Sequence, residues 1–198
     1  MANLEQQVVL ASGNAGKLRE LQSALADSGL TLLPQGQFAV TEAIEDAATF
    51  LENALIKARH AAAQTGLAAL ADDSGLVVPA LGGAPGIHSA RYSGGDDSAN
   101  NDKLLTEMAG LTGADRQAWY MCVLVYVSHA ADPAPKVAEG RWYGEIAMAP
   151  QGAGGFGYDP IFWLPELNCS AAQLDTQEKQ RIGHRGKAVA KLREQFDS

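Results

Sequence analysis

Two adjacent carboxylates, Asp72 and Asp73, sit inside the run Leu67-Ala-Ala-Leu-Ala-Asp-Asp-Ser-Gly-Leu-Val-Val. An apolar run that closes on Asp-Asp-Ser-Gly predicts a buried strand with charge at its carboxyl end, the edge at which open α/β sheets keep their ligand crevices. Successive strand residues point to opposite faces, so the two acids need not share a task. One could hold a metal ion or polarise water while the other braces the loop. The competing explanation is an ordinary turn, because Asp and Ser before Gly are also turn residues.

Three other stretches could carry chemistry. After the strand pattern Val8-Val-Leu-Ala comes Ser12-Gly-Asn-Ala-Gly-Lys17, then a helix pattern with Leu18, Leu21 and Leu25 on one face. A glycine loop between a strand and a helix aims backbone N–H groups and a helix N-terminus at one point, a site suited to phosphate, and Lys17 adds a positive charge. It is not a Walker A loop: Ala11 takes the first glycine position, and Leu18 stands where Ser or Thr would hold magnesium. A plain turn using Gly13 and Asn14 for unusual backbone angles accounts for the same residues. In Gly154-Gly-Phe-Gly-Tyr-Asp-Pro, glycines on either side of Phe156 leave its ring open for a purine to stack on, or simply let it enter the core. Gly183-His-Arg-Gly sets an exposed His-Arg pair between two glycines, to be fixed by an anionic or carbonyl-bearing group.

The elements that must position these residues follow from periodicity and punctuation. Leu30-Thr-Leu-Leu reads as a strand, and Glu42 to Asp46 as an acidic connector. Thr49-Phe-Leu-Glu52 has the capping-box pattern, and Gly66 is placed to end the helix. On it Asn53, Lys57 and His60 share a polar face, while Leu51, Leu55 and Ala58 form an apolar one. Leu81 to Gly95 reads as an ordered glycine-rich loop, and Ser98 as the cap of a helix with Leu104, Leu105 and Met108. Trp119 to Val127 and Lys136 to Met148 predict an antiparallel hairpin or a second strand layer. Thr176 opens a helix, the glycine-flanked pair interrupts it, and Val189, Leu192 and Phe196 line a closing helix.

At 198 residues with 46% hydrophobic and 19% charged side chains, the chain is expected to form one domain, residues 1–198, with a real core. A formal charge of -8 argues against nucleic acid or anionic membrane as a partner, so an anionic ligand needs a local basic pocket or a metal ion. There is no apolar run of membrane-spanning length and no signal-peptide pattern, and a cytoplasmic protein is expected. Cys122, in an apolar run, and Cys169, in a loop, are expected to be free thiols, and no two histidines are spaced for a local zinc motif.

Five separated pieces, Ser12 to Lys17, Phe50-Leu-Glu-Asn-Ala-Leu-Ile-Lys-Ala, Ala71-Asp-Asp-Ser-Gly-Leu, Gly154 to Pro160 and Gly183 to Gly186, together resemble the family of house-cleaning pyrophosphatases acting on inosine and xanthosine triphosphates. They occur in the family's order over nearly the whole chain. The resemblance implies an α/β fold: an elongated, mixed, twisted sheet flanked by helices, in two lobes with a nucleotide cleft between them. It also implies a homodimer, Mg2+, and cleavage between the α and β phosphates to a nucleoside monophosphate and pyrophosphate. Carried over by position, Ser12, Gly13, Asn14, Ala15, Gly16 and Lys17 meet the phosphates with Lys57. Asp73 is proton acceptor and metal ligand, and Glu45 a second metal-associated acid. Ser74 touches substrate, and Phe156, Gly157, Tyr158, Asp159, Lys179, His184 and Arg185 form the base site. Gly183 departs from the pattern, where the family often has serine. Inosine and xanthosine carry a 6-keto acceptor, so Arg185, or else backbone donors at Phe156 and Gly157, would read the base. Related pyrophosphatases of modified pyrimidine nucleotides begin similarly, but with arginines expected where this chain has Asn14-Ala-Gly-Lys. A nucleotide-binding module without catalysis is the alternative of a different class.

Overall fold

The computed structural model describes residues 6–13, 15–25 and 29–196. Their elements are β1 (Gln6–Ala11), α1 (Ala15–Ala24), β2 (Leu30–Pro34), α2 (Phe50–Thr65), β3 (Ala68–Val77), α3 (Asp97–Glu107), β4 (Gln117–Val127), β5 (Lys136–Ile146), β6 (Phe162–Leu164), β7 (Cys169–Ser170), α4 (Thr176–Ile182) and α5 (His184–Glu194). The strands form one mixed sheet in the order β2-β1-β3-β4-β5-β6-β7. β1 is parallel to β2 and β3, and β5, β6 and β7 are antiparallel in succession. The expected α/β architecture with a mixed sheet is therefore what the chain adopts. The hairpin segments become neighbours β4 and β5 of this sheet and not a second layer. Cys169 lies in the short strand β7 and not in a loop; both cysteines are free thiols, as expected.

The chain divides into two compact units, Met1–Asp73 with Cys122–Gly140 and Arg185–Ser198, and Ser74–Met121 with Arg141–His184. In the first, β1 is buried along Val8 to Ala11, as a strand covered on both faces requires. Leu21 of α1, Leu25 just after it, and Val189 and Leu192 of α5 join Val8, Leu10, Leu70 and Leu124 in its core. α2 begins at Thr49, whose hydroxyl accepts from Glu52 N (3.2 Å) and donates to the Glu52 carboxylate (2.7 Å). It ends at Gly66, whose left-handed φ of 70° suits glycine. Its buried face is Ala54, Ala58, Ala61 and Ala62, whereas Leu51 is exposed. The alanines let the helix sit close to its neighbours, and they, not the leucines, define the inner side. The polar stripe is not a solvated face either. Asn53 is buried and accepts from Ala47 N (3.1 Å), and Gln64 accepts from Thr41 N (3.0 Å), so the stripe fastens the acidic connector.

In the second unit Leu76, Leu104, Met108, Ile146, Ile161 and Phe162 make the core. The Leu81 to Gly95 stretch is ordered, as expected: Ser89 Oγ accepts from Leu76 N (2.9 Å) and donates to Gly86 O (2.6 Å), and Tyr158 Oη donates to Ser89 O (2.9 Å). α3 is capped by Asp96, which accepts from Ala99 N at 2.9 Å. Ser98 lies inside the helix, so the expected cap is two residues too late.

Candidate active site

β3 does not end at Asp72-Asp73. It runs on to Val77, and the pair lies in extended backbone rather than a turn. The edge comes from its neighbour: β1 pairs with β3 from Val8↔Ala68 to Ala11↔Ala71 and then leaves the sheet, so the aspartates follow the last residue that β1 covers. Alternation then separates their partners. Asp72 Oδ2 lies 3.1 Å from Lys17 Nζ and 3.8 Å from Arg185 Nη2, and Arg185 Nη1 pairs with Glu20. Asp73 Oδ1 accepts from Lys57 Nζ at 2.8 Å, and the same Nζ donates to Glu45 Oε2 at 2.9 Å. Burial pushes the Asp72 carboxyl up, but Lys17, Arg185 and Lys57 outweigh it and hold Asp72 well below the usual carboxylate range. For Asp73 burial wins over Lys57, and its carboxyl is raised. Burial opposes the charge on Lys57, yet Asp73, Asp72 and Glu45 more than offset it, so the ammonium stays protonated. One acid of the pair is thus fixed as an anion, while the other is tuned toward accepting a proton. Burial pushes the nearby Cys122 thiol up to about 12, which removes it as a nucleophile.

The loop before α1 places Ser12 N on Leu10 O (3.0 Å), and Ala15, Gly16 and Lys17 open the helix. Gly13 has no left-handed φ, and a Cβ there would meet nothing within 4 Å. Neither backbone strain nor crowding therefore demands glycine, and the open surface it leaves is of the kind a ligand's phosphates approach. Asn14 lies outside the described residues. Ser74 follows Asp73 in β3 and is partly buried.

The glycine loop and the residues around His184 build a second cluster, in the second unit. Asp159 Oδ2 accepts from Phe156 N (2.9 Å) and Lys179 Nζ (2.5 Å), and Tyr120 Oη lies 3.4 Å from Asp159 Oδ1. Lys179 Nζ also stands 4.5 Å from the centre of the partly exposed Phe156 ring, a cation–π contact. His184 is buried and stacks on Tyr120 at 4.7 Å and 9°, with Trp142 beyond at 6.4 Å and 16°. Gly157 N donates to Asp97 Oδ2 (2.7 Å), and Gly157 O accepts from Asn101 Nδ2 (3.1 Å). Both backbone donors expected to read a base, Phe156 N and Gly157 N, are therefore engaged by carboxylates. The His-Arg pair is neither exposed nor between helices: only Gly183 interrupts, and both residues are buried in the first turn of α5. A Cβ on Gly183 would stand 2.5 Å from Lys179 O, the carbonyl that Gly183 N–H caps, so glycine fits the close turn at the end of α4.

Glu20, Tyr120, Asp97 and Asn101 touch expected site residues. Nothing in the sequence singles out Glu20 or Tyr120; for Asp97 and Asn101 the signal is their spacing, i and i+4 on one helix. Lys17, Lys57 and Arg185 are met by Glu20, Glu45, Asp72 and Asp73, so among the described residues these groups leave no surplus positive charge. Asp73 Oδ2 is buried with no hydrogen-bond partner among the described residues. Among the same residues no group of three His, Cys, Asp or Glu side chains could hold a metal ion. Glu45 and Asp73 meet at one ammonium, and with one Asp73 oxygen unclaimed among the described residues they could hold a divalent metal ion. No helix among the described residues is long and apolar enough to cross a membrane.

A model of the Ham1 family matches residues 8–195. A dITP/XTP pyrophosphatase of Thioalkalivibrio sulfidiphilus is 54% identical over 192 residues, 96% of this chain and 98% of its own. One of Ralstonia nicotianae is 55% identical over 196 residues, 96% of each chain. A solved HAM1 protein from Coxiella burnetii superposes with a TM-score of 0.91 at 46% identity, covering 97% of this chain and 98% of that one. A nucleoside-triphosphatase / dITP/XTP pyrophosphatase from Mycobacterium abscessus gives a TM-score of 0.78 at 41% identity, with 94% and 97% covered. The five motifs are thus the parts of a likeness that extends over the whole described fold, and the chain belongs to the Ham1 family.

Proposed function

We infer that the chain hydrolyses the triphosphates of inosine, deoxyinosine and xanthosine to the nucleoside monophosphate and pyrophosphate. The observation that carries this reading is Asp73: buried, raised toward proton acceptance, held through Oδ1 by Lys57, and with Oδ2 unclaimed among the described residues. In that state Asp73 can orient a water molecule and take its proton as the oxygen attacks the α-phosphorus in line with the leaving pyrophosphate. Ser12 to Lys17 and Lys57 hold the phosphates, with Ser74 beside them. Because the lysines are already matched by carboxylates, they orient the chain of phosphates more than they neutralise it. Asp73 and Glu45 would hold Mg2+, which when bound supplies the missing positive charge.

The base is assigned to Phe156, Gly157, Tyr158 and Asp159 with Lys179, His184 and Arg185. The Phe156 ring offers a stacking face, and the cationic donors Lys179 and Arg185 match a 6-keto acceptor but oppose the 6-amino group of adenine. Residues 1–198 would act as one catalytic domain, in a homodimer, in the cytoplasm, where the nucleotide pool lies. Turnover measured by phosphate release with added inorganic pyrophosphatase, over a panel of nucleoside triphosphates, tests the reading. Activity is expected on inosine, deoxyinosine and xanthosine triphosphates well above adenosine triphosphate, and no pyrophosphate from any of them would overturn it.

A further inference from the structure

Gly157 sits between Phe156 and Tyr158 with a left-handed φ of 64°, and a Cβ there would meet nothing within 4 Å. Space is therefore not what holds this residue. Its two backbone groups are gripped from one helix: Asp97 Oδ2 takes the N–H at 2.7 Å, and Asn101 Nδ2 gives to the carbonyl at 3.1 Å. The two side chains are four residues apart on α3, so they rise from the same face one turn from each other. Asp159 takes the preceding N–H, that of Phe156, so three side chains fix consecutive backbone groups of the loop.

Asn101 is buried, and its Oδ1 has no hydrogen-bond partner among the described residues. An apolar side chain of similar size would avoid burying that unmatched oxygen. The amide is accounted for by its other end, which holds the Gly157 carbonyl. Asp97, by contrast, is exposed in the first turn of the helix, where a carboxylate needs no partner at all. It still makes a charge-assisted bond to a peptide 60 residues away in sequence.

We propose that Asp97 and Asn101 are positioning residues for the base, setting purine selectivity by clamping Gly157 so that the Phe156 ring and Lys179 keep their places. The inference rests on the base assignment made above. Loosening the clamp lets the loop sample other backbone states, which weakens binding of the favoured base and leaves the attack at phosphorus intact. Loss of one such bond is expected to lower kcat/KM for inosine triphosphate about tenfold, the scale of a single charge-assisted hydrogen bond.

Steady-state kinetics on inosine and adenosine triphosphates, for wild type, Asp97→Ala, Asp97→Asn and Asn101→Leu, test this. The expected result for Asp97→Ala is a raised KM for inosine triphosphate, little change in kcat, and a smaller ratio of the two specificity constants. Asp97→Asn, whose amide oxygen still accepts from Gly157 N–H, restores most of the ratio. Asn101→Leu narrows the ratio in the same direction even where its melting temperature holds or rises. A merely structural role would lower kcat equally for both substrates through a smaller folded fraction, and that outcome overturns the proposal. So does an unchanged KM and ratio in Asp97→Ala, or an Asp97→Asn as damaged as Asp97→Ala. Wild type without turnover of inosine triphosphate would overturn the assigned activity, and this inference with it; active wild type with an indifferent clamp overturns this inference alone.

Discussion

Asp73→Asn separates chemistry from architecture, because it removes one charge at almost constant shape. Taking away a positioned general base costs about 10²- to 10⁴-fold in rate. Here the same substitution also removes a proposed metal ligand, so a fall in kcat of at least about 10³-fold is expected, toward the upper end of that range. The structural cost has a ceiling of about 3–5 kcal/mol, the usual penalty for stranding one partner of a buried ion pair. Three features bring it well below that ceiling. Lys57 Nζ keeps Glu45 Oε2 at 2.9 Å, the amide oxygen of Asn can still accept the bond that Asp73 Oδ1 accepts at 2.8 Å, and burial already disfavours the Asp73 charge. A net loss of about 1 kcal/mol remains, or a fall in melting temperature of about 2–4 °C for a chain of this size. Pyrophosphate release from inosine triphosphate gives the rate, and thermal unfolding followed by circular dichroism gives the stability. Turnover within about tenfold of wild type, outside the range for a lost base, would refute the assignment of Asp73.

The neighbouring acid should behave differently. Asp72 is held below its unfolded value, so its contribution to stability is complete above about pH 4 and is lost as pH falls below the ordinary Asp pKa of about 3.9. Wild type should therefore lose melting temperature more steeply on acidification than Asp72→Asn, and parallel curves would remove the Lys17 and Arg185 pairing as a source of stability. Excess chelator should abolish turnover and added Mg2+ restore it; full activity in chelator contradicts the charge balance of the cluster. Gly155 has a φ of 74°, and a Cβ there would overlap Asp159 Oδ2, so Gly155→Ala should cost about 1–3 kcal/mol and raise KM by releasing Phe156 N and Lys179 from Asp159. Unaltered KM and melting temperature would show that the loop absorbs the methyl group. Arg185→Ala should shrink the preference for inosine over adenosine triphosphate. An unchanged ratio would confine Arg185 to its ion pairs with Glu20 and Asp72.

Thr49 and Gly66 announce α2 in the sequence because capping is local chemistry, and β1 and β2 are legible because their apolar runs are short and bounded. The inner face of α2 is not legible by size alone: Leu51 is the larger hydrophobe, but Ala54, Ala58, Ala61 and Ala62 allow the closer approach and are the ones buried. Asp72-Asp73 reads as a strand end, since nothing in the run itself shows that β3 outlasts β1. The Gly-His-Arg-Gly motif reads as a four-residue interruption of the helix, because two glycines read as punctuation when only one interrupts. The pairing of Lys57 with both Glu45 and Asp73 joins residues 12 and 16 positions away, and that of Arg185 with Glu20 spans 165. Such partners are chosen by topology, and local patterns carry no record of them.

The alternation along β3 gives it the character of a reading frame. Two identical residues, Asp72 and Asp73, acquire opposite wiring, one to Lys17 and Arg185 and the other to Lys57, which also holds Glu45, by parity of position. The pairing of Val8 to Ala11 with Ala68 to Ala71 sets that frame. An insertion of one residue between Leu70 and Asp72 keeps every functional group in the chain yet exchanges the faces of both acids: the first takes the position that faces Lys57, and the second moves on to the position of Ser74, so the position that faces Lys17 is left without an acid. An insertion of two restores parity and shifts the pair along the strand by one repeat. Change in this stretch should therefore be tolerated in even steps sooner than in odd ones, a rule set by the pleat and not by the chemistry it carries.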